Sequence, residues 1–239
     1  MVDLSKLDKK SIGKCFDLAC LPKNTTEAVV RAGAKDAIAY NTNVFQVSSP
    51  FWLPVVLEEL EGTDIKPSCC IAFPFGSTTP YAKAKETEQA VQMGAKSLDM
   101  AMNIGALMSG DYKSVEQELK DFVTAAQGVD TKVIIDVAFL KDDEIAAATR
   151  MIVEAGVNYA KTATGQFEGP TMEQFLIMRD ICEGTATKTK VSGVKFPRPQ
   201  NAYNFLIAGA DLIGTRAAPE IIDALPTMRK IGLVPPYKP

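Results

Sequence analysis

Asp99, Lys161 and Lys190 are the residues whose chemistry the sequence puts forward. Each lies in a short run that reads as a strand: Leu98-Asp99-Met100-Ala101-Met102-Asn103, Asn158-Tyr159-Ala160-Lys161-Thr162-Ala163 and Lys188-Thr189-Lys190-Val191-Ser192. An amine attacks a carbonyl only when deprotonated, and a free lysine has a pKa of about 10.4. Burial lowers that value, and so does a second ammonium nearby. Two lysines and one carboxylate therefore make a set for imine chemistry, with one amine made nucleophilic. A single lysine among 26 basic residues is ordinarily a solvated strand end. The reading rests on three ionisable groups converging from different strands, where a charged interior group is costly unless paired.

Other chemistry is excluded by what is missing. The chain of 239 residues has no histidine. Ser-His-Asp and Cys-His catalysis are ruled out, and so is a His-x-x-x-His zinc site. Acid–base work falls to Lys, Asp, Glu, Tyr, Cys or water. No metal or other cofactor is expected. Lys plus Arg number 26 and Asp plus Glu 29, a net charge of −3. That balance cannot neutralise a phosphate backbone, so no nucleic-acid partner is expected. No apolar run approaches the roughly 18 residues of a membrane span, so no membrane partner is expected either. Met1–Gly13 lacks the apolar stretch of a signal peptide. The five cysteines (Cys15, Cys20, Cys69, Cys70, Cys182) have no Cys-x-x-Cys spacing. They read as reduced, buried residues of a cytoplasmic protein.

The elements that must position the three groups follow a repeat. Four times a helix-like stretch ends in Gly and a small residue, then a short apolar run. The glycines are Gly33, Gly94, Gly156 and Gly209, and the runs are Ala37–Tyr40, Ser97–Met102, Tyr159–Thr162 and Leu212–Thr215. A left-handed Gly closing each helix explains the pattern. Further strands are expected at Ile12–Asp17, Ser68–Phe73, Lys132–Val137 and Thr187–Val191. Helices are expected at Val115–Ala126, Asp143–Val153 and Met172–Ile181. Eight strands alternating with helices, about 30 residues per unit, are what a (β/α)₈ TIM barrel requires. An open doubly wound sheet is the competing fold, but no Gly-x-Gly-x-x-Gly turn follows the first strand. One domain over 1–239 is expected, with 234–239 a mobile tail.

Strand parity sorts the faces. Leu98, Met100 and Met102 form the large apolar set and belong against the helices. Asp99, Ala101 and Asn103 then face the barrel interior. Lys161 shares a face with Tyr159, Lys190 shares one with Lys188 and Ser192, and Asp136 stands opposite Ile135 and Val137. Several of these polar residues fall near C-terminal strand ends, where barrel enzymes build active sites.

Four segments resemble the deoxyribose-phosphate aldolase family. Asp99 to Leu107 with Ser109-Gly110-Asp111-Tyr112 is similar to its fourth-strand motif. Lys132-Val133-Ile134-Ile135-Asp136 is similar to its fifth strand, with Asp136 where Glu is usual. Ala160-Lys161-Thr162-Ala163-Thr164-Gly165 resembles the segment carrying its Schiff-base lysine, and Ala72-Phe73-Pro74-Phe75-Gly76 the turn after its third strand. The resemblance spans about Asp17 to Thr215, with the motifs in order. It implies a metal-independent class I aldolase that cleaves 2-deoxy-D-ribose 5-phosphate to glyceraldehyde 3-phosphate and acetaldehyde. It implies Lys161 as the imine former, Asp99 as the proton-relay carboxylate, and Lys190 as the second lysine, with Lys195 as competitor.

The departures fall at the phosphate end. The family has two glycines after its second lysine, whose N–H groups bind phosphate. Here Gly193 is followed by Val194 and Lys195. The family has Gly-x-Ser-Ser after strand eight. Here Gly214-Thr215 is followed by Arg216, whose guanidinium suits phosphate or carboxylate and equally suits a surface ion pair. Asp17 is kept, without the His-Thr that usually follows. Thr164, Gly193, Val194, Lys195, Gly214, Thr215 and Arg216 are the expected substrate-binding residues. A different phosphorylated or acidic aldehyde, or a sugar-phosphate-binding barrel without turnover, are the other readings. Tyr237 is expected in the mobile tail, with closure over the barrel mouth as the alternative. Phe51–Val56 suits either the core or the contact face of a homo-oligomer.

Overall fold

Eight strands that alternate inward and outward side chains close into a barrel. The computed structural model describes residues 2–238. Its strands are β1 (Phe16–Cys20), β2 (Val44–Val47), β3 (Lys66–Ile71), β4 (Ser97–Ala101), β5 (Asp130–Ile134), β6 (Tyr159–Lys161), β7 (Lys188–Ser192) and β8 (Leu212–Thr215). They are parallel and paired in sequence order, and β8 closes on β1 through Phe16 opposite Ile213. The helices between them are α1 (Glu27–Ala39), α2 (Leu53–Glu59), α3 (Pro80–Gln92), α4 (Ile104–Met108), α5 (Tyr112–Ala126), α6 (Asp142–Glu154), α7 (Met172–Cys182), α8 (Arg198–Ile207), α9 (Ala218–Asp223) and α10 (Leu225–Lys230). The expected (β/α)₈ barrel is the fold, and the open sheet is not. Among the described residues, no helix is long and apolar enough to cross a membrane.

The apolar core lies between sheet and helices. Leu98, Met100 and Met102 belong to it, as parity required. On α5, Val115, Leu119 and Phe122 form the buried face against the sheet. All five cysteines are free and buried.

Two strands were misplaced by the sequence reading. Ala37–Tyr40 is not a strand, because α1 runs through Ala39 and Asn41 ends it at φ 51°. The second strand follows at Val44. The reason is Gly33. Gly94, Gly156 and Gly209 take the expected positive φ, but Gly33 stays helical and lets the Phe45 ring approach. A β-carbon there would lie 2.8 Å from two ring atoms. Ile12–Asp17 likewise shifts to Phe16–Cys20, and Ser11–Cys15 forms a 3₁₀ turn. There Gly13 packs on the Tyr40 and Asn41 carbonyls, where a side chain would overlap them. β5 begins earlier than expected and ends before Asp136, which takes φ 44°.

The Phe51–Val56 segment divides. Leu53 and Val56 are buried, while Phe51 is 74% exposed. Tyr237 and Lys238 do not reach the cleft at the barrel mouth. The Lys238 N–H donates to the Ser5 carbonyl at 2.7 Å, and Arg229 lies 5.4 Å from the Tyr237 ring centre. Tyr237 thus sits beside the segment that precedes β1, at the end where the strands begin. Met1 and Pro239, the outermost residues of the expected domain and tail, lie outside the described residues.

Candidate active site

The interior of a barrel this size is ordinarily filled by branched apolar side chains. Here the inward positions carry charge. Asp17 comes from β1, Asp99 from β4, Lys132 from β5, Lys161 from β6 and Lys190 from β7, all essentially buried. The Lys161 ammonium lies 2.7 Å from Asp99 Oδ2, and Lys190 lies 2.8 Å from the same oxygen. Lys190 also lies 2.8 Å from Asp17 Oδ2 and 3.4 Å from Gln46 Oε1. Strand parity therefore does bring Asp99, Lys161 and Lys190 together.

The charges sort themselves by partner. Burial alone would raise the Asp99 carboxyl, but Lys161, Lys190 and Lys132 overcome it and hold it far below its usual range. Asp17 is lowered too: burial opposes it, and Lys190 and Lys132 prevail. Burial works against the Lys190 charge, yet the two carboxylates hold its ammonium above the ordinary lysine range. Lys190 is thus a fixed cation sharing an oxygen with Lys161. Cys70 faces the same space through a bond from Gln46 Nε2 at 3.4 Å. Burial pushes its thiol up to about 12, so it is no nucleophile at neutral pH.

A cleft of about 610 Å³ opens above Lys161 at the C-terminal strand ends. Thr164, Gly193, Val194, Lys195, Gly214, Thr215 and Arg216 all line it. Their surroundings differ. The Thr164 N–H and hydroxyl both donate to Asp136 Oδ1, at 2.7 and 3.0 Å. Burial raises Asp136 despite these two bonds. Lys195 does not reach the interior; it pairs with Glu168 at the rim, 2.8 Å away. Between Lys190 and Lys195, only Lys190 meets Asp99. Arg198, from α8, lies 3.9 Å over the Phe196 ring and 3.7 Å from Glu220. Arg216 is exposed to the cleft, and among the described residues no carboxylate pairs with it.

Gly214 has a second role that its sequence motif did not show. It sits where a β-carbon would overlap Ser192 Oγ and come within 2.7 Å of Lys190 Cε. The missing side chain is the space through which Lys190 reaches Asp99. Gly214→Ala is expected to displace the ammonium, cost about 1–3 kcal/mol of stability and lower turnover by about tenfold or more. Urea unfolding and steady-state kinetics measure the two effects.

Sequence reading missed Lys132, Gln46, Glu168 and Arg198. Lys132 had a usable signal. Val133, Ile135 and Val137 are the apolar set of that segment, so the same parity that placed Asp99 inside also places Lys132 inside. Gln46 had none, because its strand was misplaced.

The comparisons with known proteins agree with this fold. Residues 15–198 match the DeoC/LacD family aldolase description. Deoxyribose-phosphate aldolase 2 of Oceanobacillus iheyensis is 32% identical over 217 residues, 90% of this chain and 96% of that one. A crystal structure from Coccidioides immitis, described as a candidate deoxyribose-phosphate aldolase, superposes with a TM-score of 0.87 at 28% identity, covering 92% of this chain and 88% of that chain. The tetrameric deoxyribose phosphate aldolase of Aeropyrum pernix shares the fold, with a TM-score of 0.84 at 22% identity, covering 94% of this chain and 95% of that chain. The family match covers most of the barrel, including the strands that carry Asp17, Asp99, Lys132, Lys161 and Lys190. On that match, this protein belongs to the DeoC/LacD family of aldolases.

Proposed function

We propose that the protein is a class I aldolase that reversibly cleaves 2-deoxy-D-ribose 5-phosphate through an imine at Lys161. The carrying observation is Lys161 at the floor of the cleft, sharing one Asp99 oxygen with the fixed Lys190 ammonium. The open-chain sugar condenses at C1 with the Lys161 amine and loses water. Asp99 takes up the proton of the C3 hydroxyl, and the C2–C3 bond breaks. Its electron pair enters the iminium to give an enamine, and glyceraldehyde 3-phosphate leaves. Protonation at C2 and hydrolysis release acetaldehyde and restore the amine. Lys190 holds positive charge beside Lys161, which eases departure of the Lys161 proton as the amine attacks. Treatment with acetaldehyde and borohydride should place an adduct on Lys161. Folded protein with no adduct at that residue overturns the reading.

The phosphate end favours a guanidinium. Among the described residues Arg216 is the cleft cation without a carboxylate partner, while Lys195 and Arg198 are each paired. Gly193 contributes its backbone beside them. Arg216→Ala is expected to raise KM for 2-deoxyribose 5-phosphate by about 10- to 100-fold, the worth of a charge-assisted hydrogen bond pair. Cleavage of unphosphorylated deoxyribose should stay unchanged. Equal KM values in variant and parent would show that the anion is held elsewhere. Val194 in place of the family's second glycine supports a second reading, in which another phosphorylated or acidic aldehyde is the better substrate. A panel of acceptor aldehydes ranks the two.

Assembly as a homo-oligomer belongs to the same proposal. Phe51 and Tyr81 are left 74% and 72% exposed, and the A. pernix relative is a tetramer. The five free thiols suit a reducing, cytoplasmic setting.

A further inference from the structure

We propose that Lys132 stores the proton that Lys161 sheds on becoming nucleophilic, with Asp99 as the bridge between them. The inference rests on Lys161 being the imine-forming lysine.

The geometry around Asp99 is asymmetric. Its Oδ2 holds both Lys161 and Lys190. Its Oδ1 is buried and, among the described residues, has no hydrogen-bond partner. That oxygen faces Lys132 Nζ at 3.7 Å, and Asp17 Oδ2 lies 3.8 Å away on another side. Among the described residues Lys132 hydrogen-bonds only to the Ser97 hydroxyl, and it lies 5.2 Å from the Tyr159 ring centre. It therefore stops short of contact with two carboxylate oxygens. An ammonium would be drawn onto them; a neutral amine has no such pull.

Counting partners gives the same order. Lys190 lies 2.8 Å from each of two carboxylates and Lys161 lies 2.7 Å from one, while Lys132 comes no nearer than 3.7 Å to either. Three ammoniums against two carboxylates would leave an uncompensated buried charge, which is costly. One lysine must be neutral, and Lys132 is the least supported as a cation. Burial lowers it, and the carboxylates of Asp17 and Asp99 do not restore it. The other groups facing the cluster do not compete near neutrality. Tyr159 on β6 and Cys70 on β3 are each pushed up to about 12, mainly by burial. Asp136, beyond β5, is raised by burial. Asp130, at the start of β5, is paired with Lys66 of β3.

The proton then has a closed route. An N–H bond of the Lys161 ammonium breaks and its electron pair stays on nitrogen. Asp99 takes the proton at Oδ2, turns, and yields it to the Lys132 lone pair. The neutral Lys161 amine adds to the aldehyde to give a carbinolamine. The stored proton returns through Asp99 to the carbinolamine hydroxyl, which leaves as water, and the iminium replaces the original ammonium. The core holds the same total charge before and after, and nothing is oxidised. Lys132 touches no reacting atom; it is a positioning residue that acts through Asp99.

The test is the pH profile of borohydride trapping with acetaldehyde. In Lys132→Met, two ammoniums balance two carboxylates, so Lys161 keeps its proton. The acid limb should move up by about one pH unit or more, with about tenfold less adduct at a fixed pH on that limb. Adduct should recover at higher pH. In Lys132→Arg the fixed guanidinium takes the third charge, and the limb should move down. An unmoved limb in both variants, or an equal loss at every pH, overturns the proposal. Should a variant not fold, ¹⁵N NMR of the lysine amines in the unmodified protein decides. A neutral amine at Lys132 near pH 7 supports the proposal; an ammonium at Lys132 overturns it. Absence of any Lys161 adduct in the parent protein would instead sink the imine reading itself.

Discussion

Replacing Lys161 by leucine is expected to lower turnover by about 10⁴-fold or more while leaving the protein folded. The loss is that of a covalent nucleophile, whose removal leaves only binding and electrostatics. The retained stability follows from charge. Inside the barrel Lys132, Lys161 and Lys190 face Asp17 and Asp99, and Lys161→Leu leaves two of each, with Lys132 free to take up the balancing proton. No buried charge is stranded, and leucine fills much of the volume of the lysine stem. Melting should change by no more than about 1 kcal/mol equivalent. Steady-state retro-aldol assays and thermal unfolding measure both effects. Residual turnover above about 1% would mean that Lys161 is not the covalent nucleophile.

Asp99→Leu is expected to behave in the opposite way for stability. It leaves three lysines facing Asp17 alone, with Lys161 deprived of its carboxylate. Breaking a buried ion pair from one side costs about 3–5 kcal/mol, and losing the proton carrier costs about 10²–10⁴ in rate. The pH dependence has a definite sign. The folded Asp99 carboxyl lies below its unfolded value of about 3.9. Its contribution is complete above that value and is lost as pH falls toward the folded one. Lys190 is raised in the folded state, so its contribution is complete below about 10.4 and is lost as pH rises through its folded value. The gap between parent and variant should therefore be widest from about pH 5 to 9 and narrow in acid. Urea unfolding across pH maps it; a gap that grows below about pH 4 would contradict the assignment.

Much of this arrangement was legible in the chain. Parity in Leu98–Asn103 put Asp99 inside, and Tyr159–Lys161 put Lys161 at a strand end, because a period of two is a local property. Distances are not local. Nothing in Lys188–Ser192 shows that Lys190 passes over Gly214 to reach Asp17 as well as Asp99. Nor does Val194-Lys195 show that Lys195 turns outward to Glu168. The strand errors have the same origin. Gly33 carries a helix-ending residue type, yet it serves the Phe45 ring, a contact between elements that the sequence reading could not see. Lys132 was readable by parity and was passed over, because a lysine opening a strand resembles an ordinary solvated end.

The interior charges also divide the chain in two. The strands of the first half, β1 to β4, bring both carboxylates, Asp17 and Asp99. The strands of the second half, β5 to β8, bring all three lysines. Neither half can dry its inner surface alone, since each would bury like charges with nothing opposite. The halves are electrostatic complements, and closure of the ring is the step that neutralises both. A half-barrel intermediate would be held open by its own repulsion, which favours all-or-none folding of the whole ring. Separately made halves, cut between β4 and β5, should find each other faster at low salt than at high salt. The charges assigned to the chemistry would thus also bind the two halves of the barrel into one folding unit.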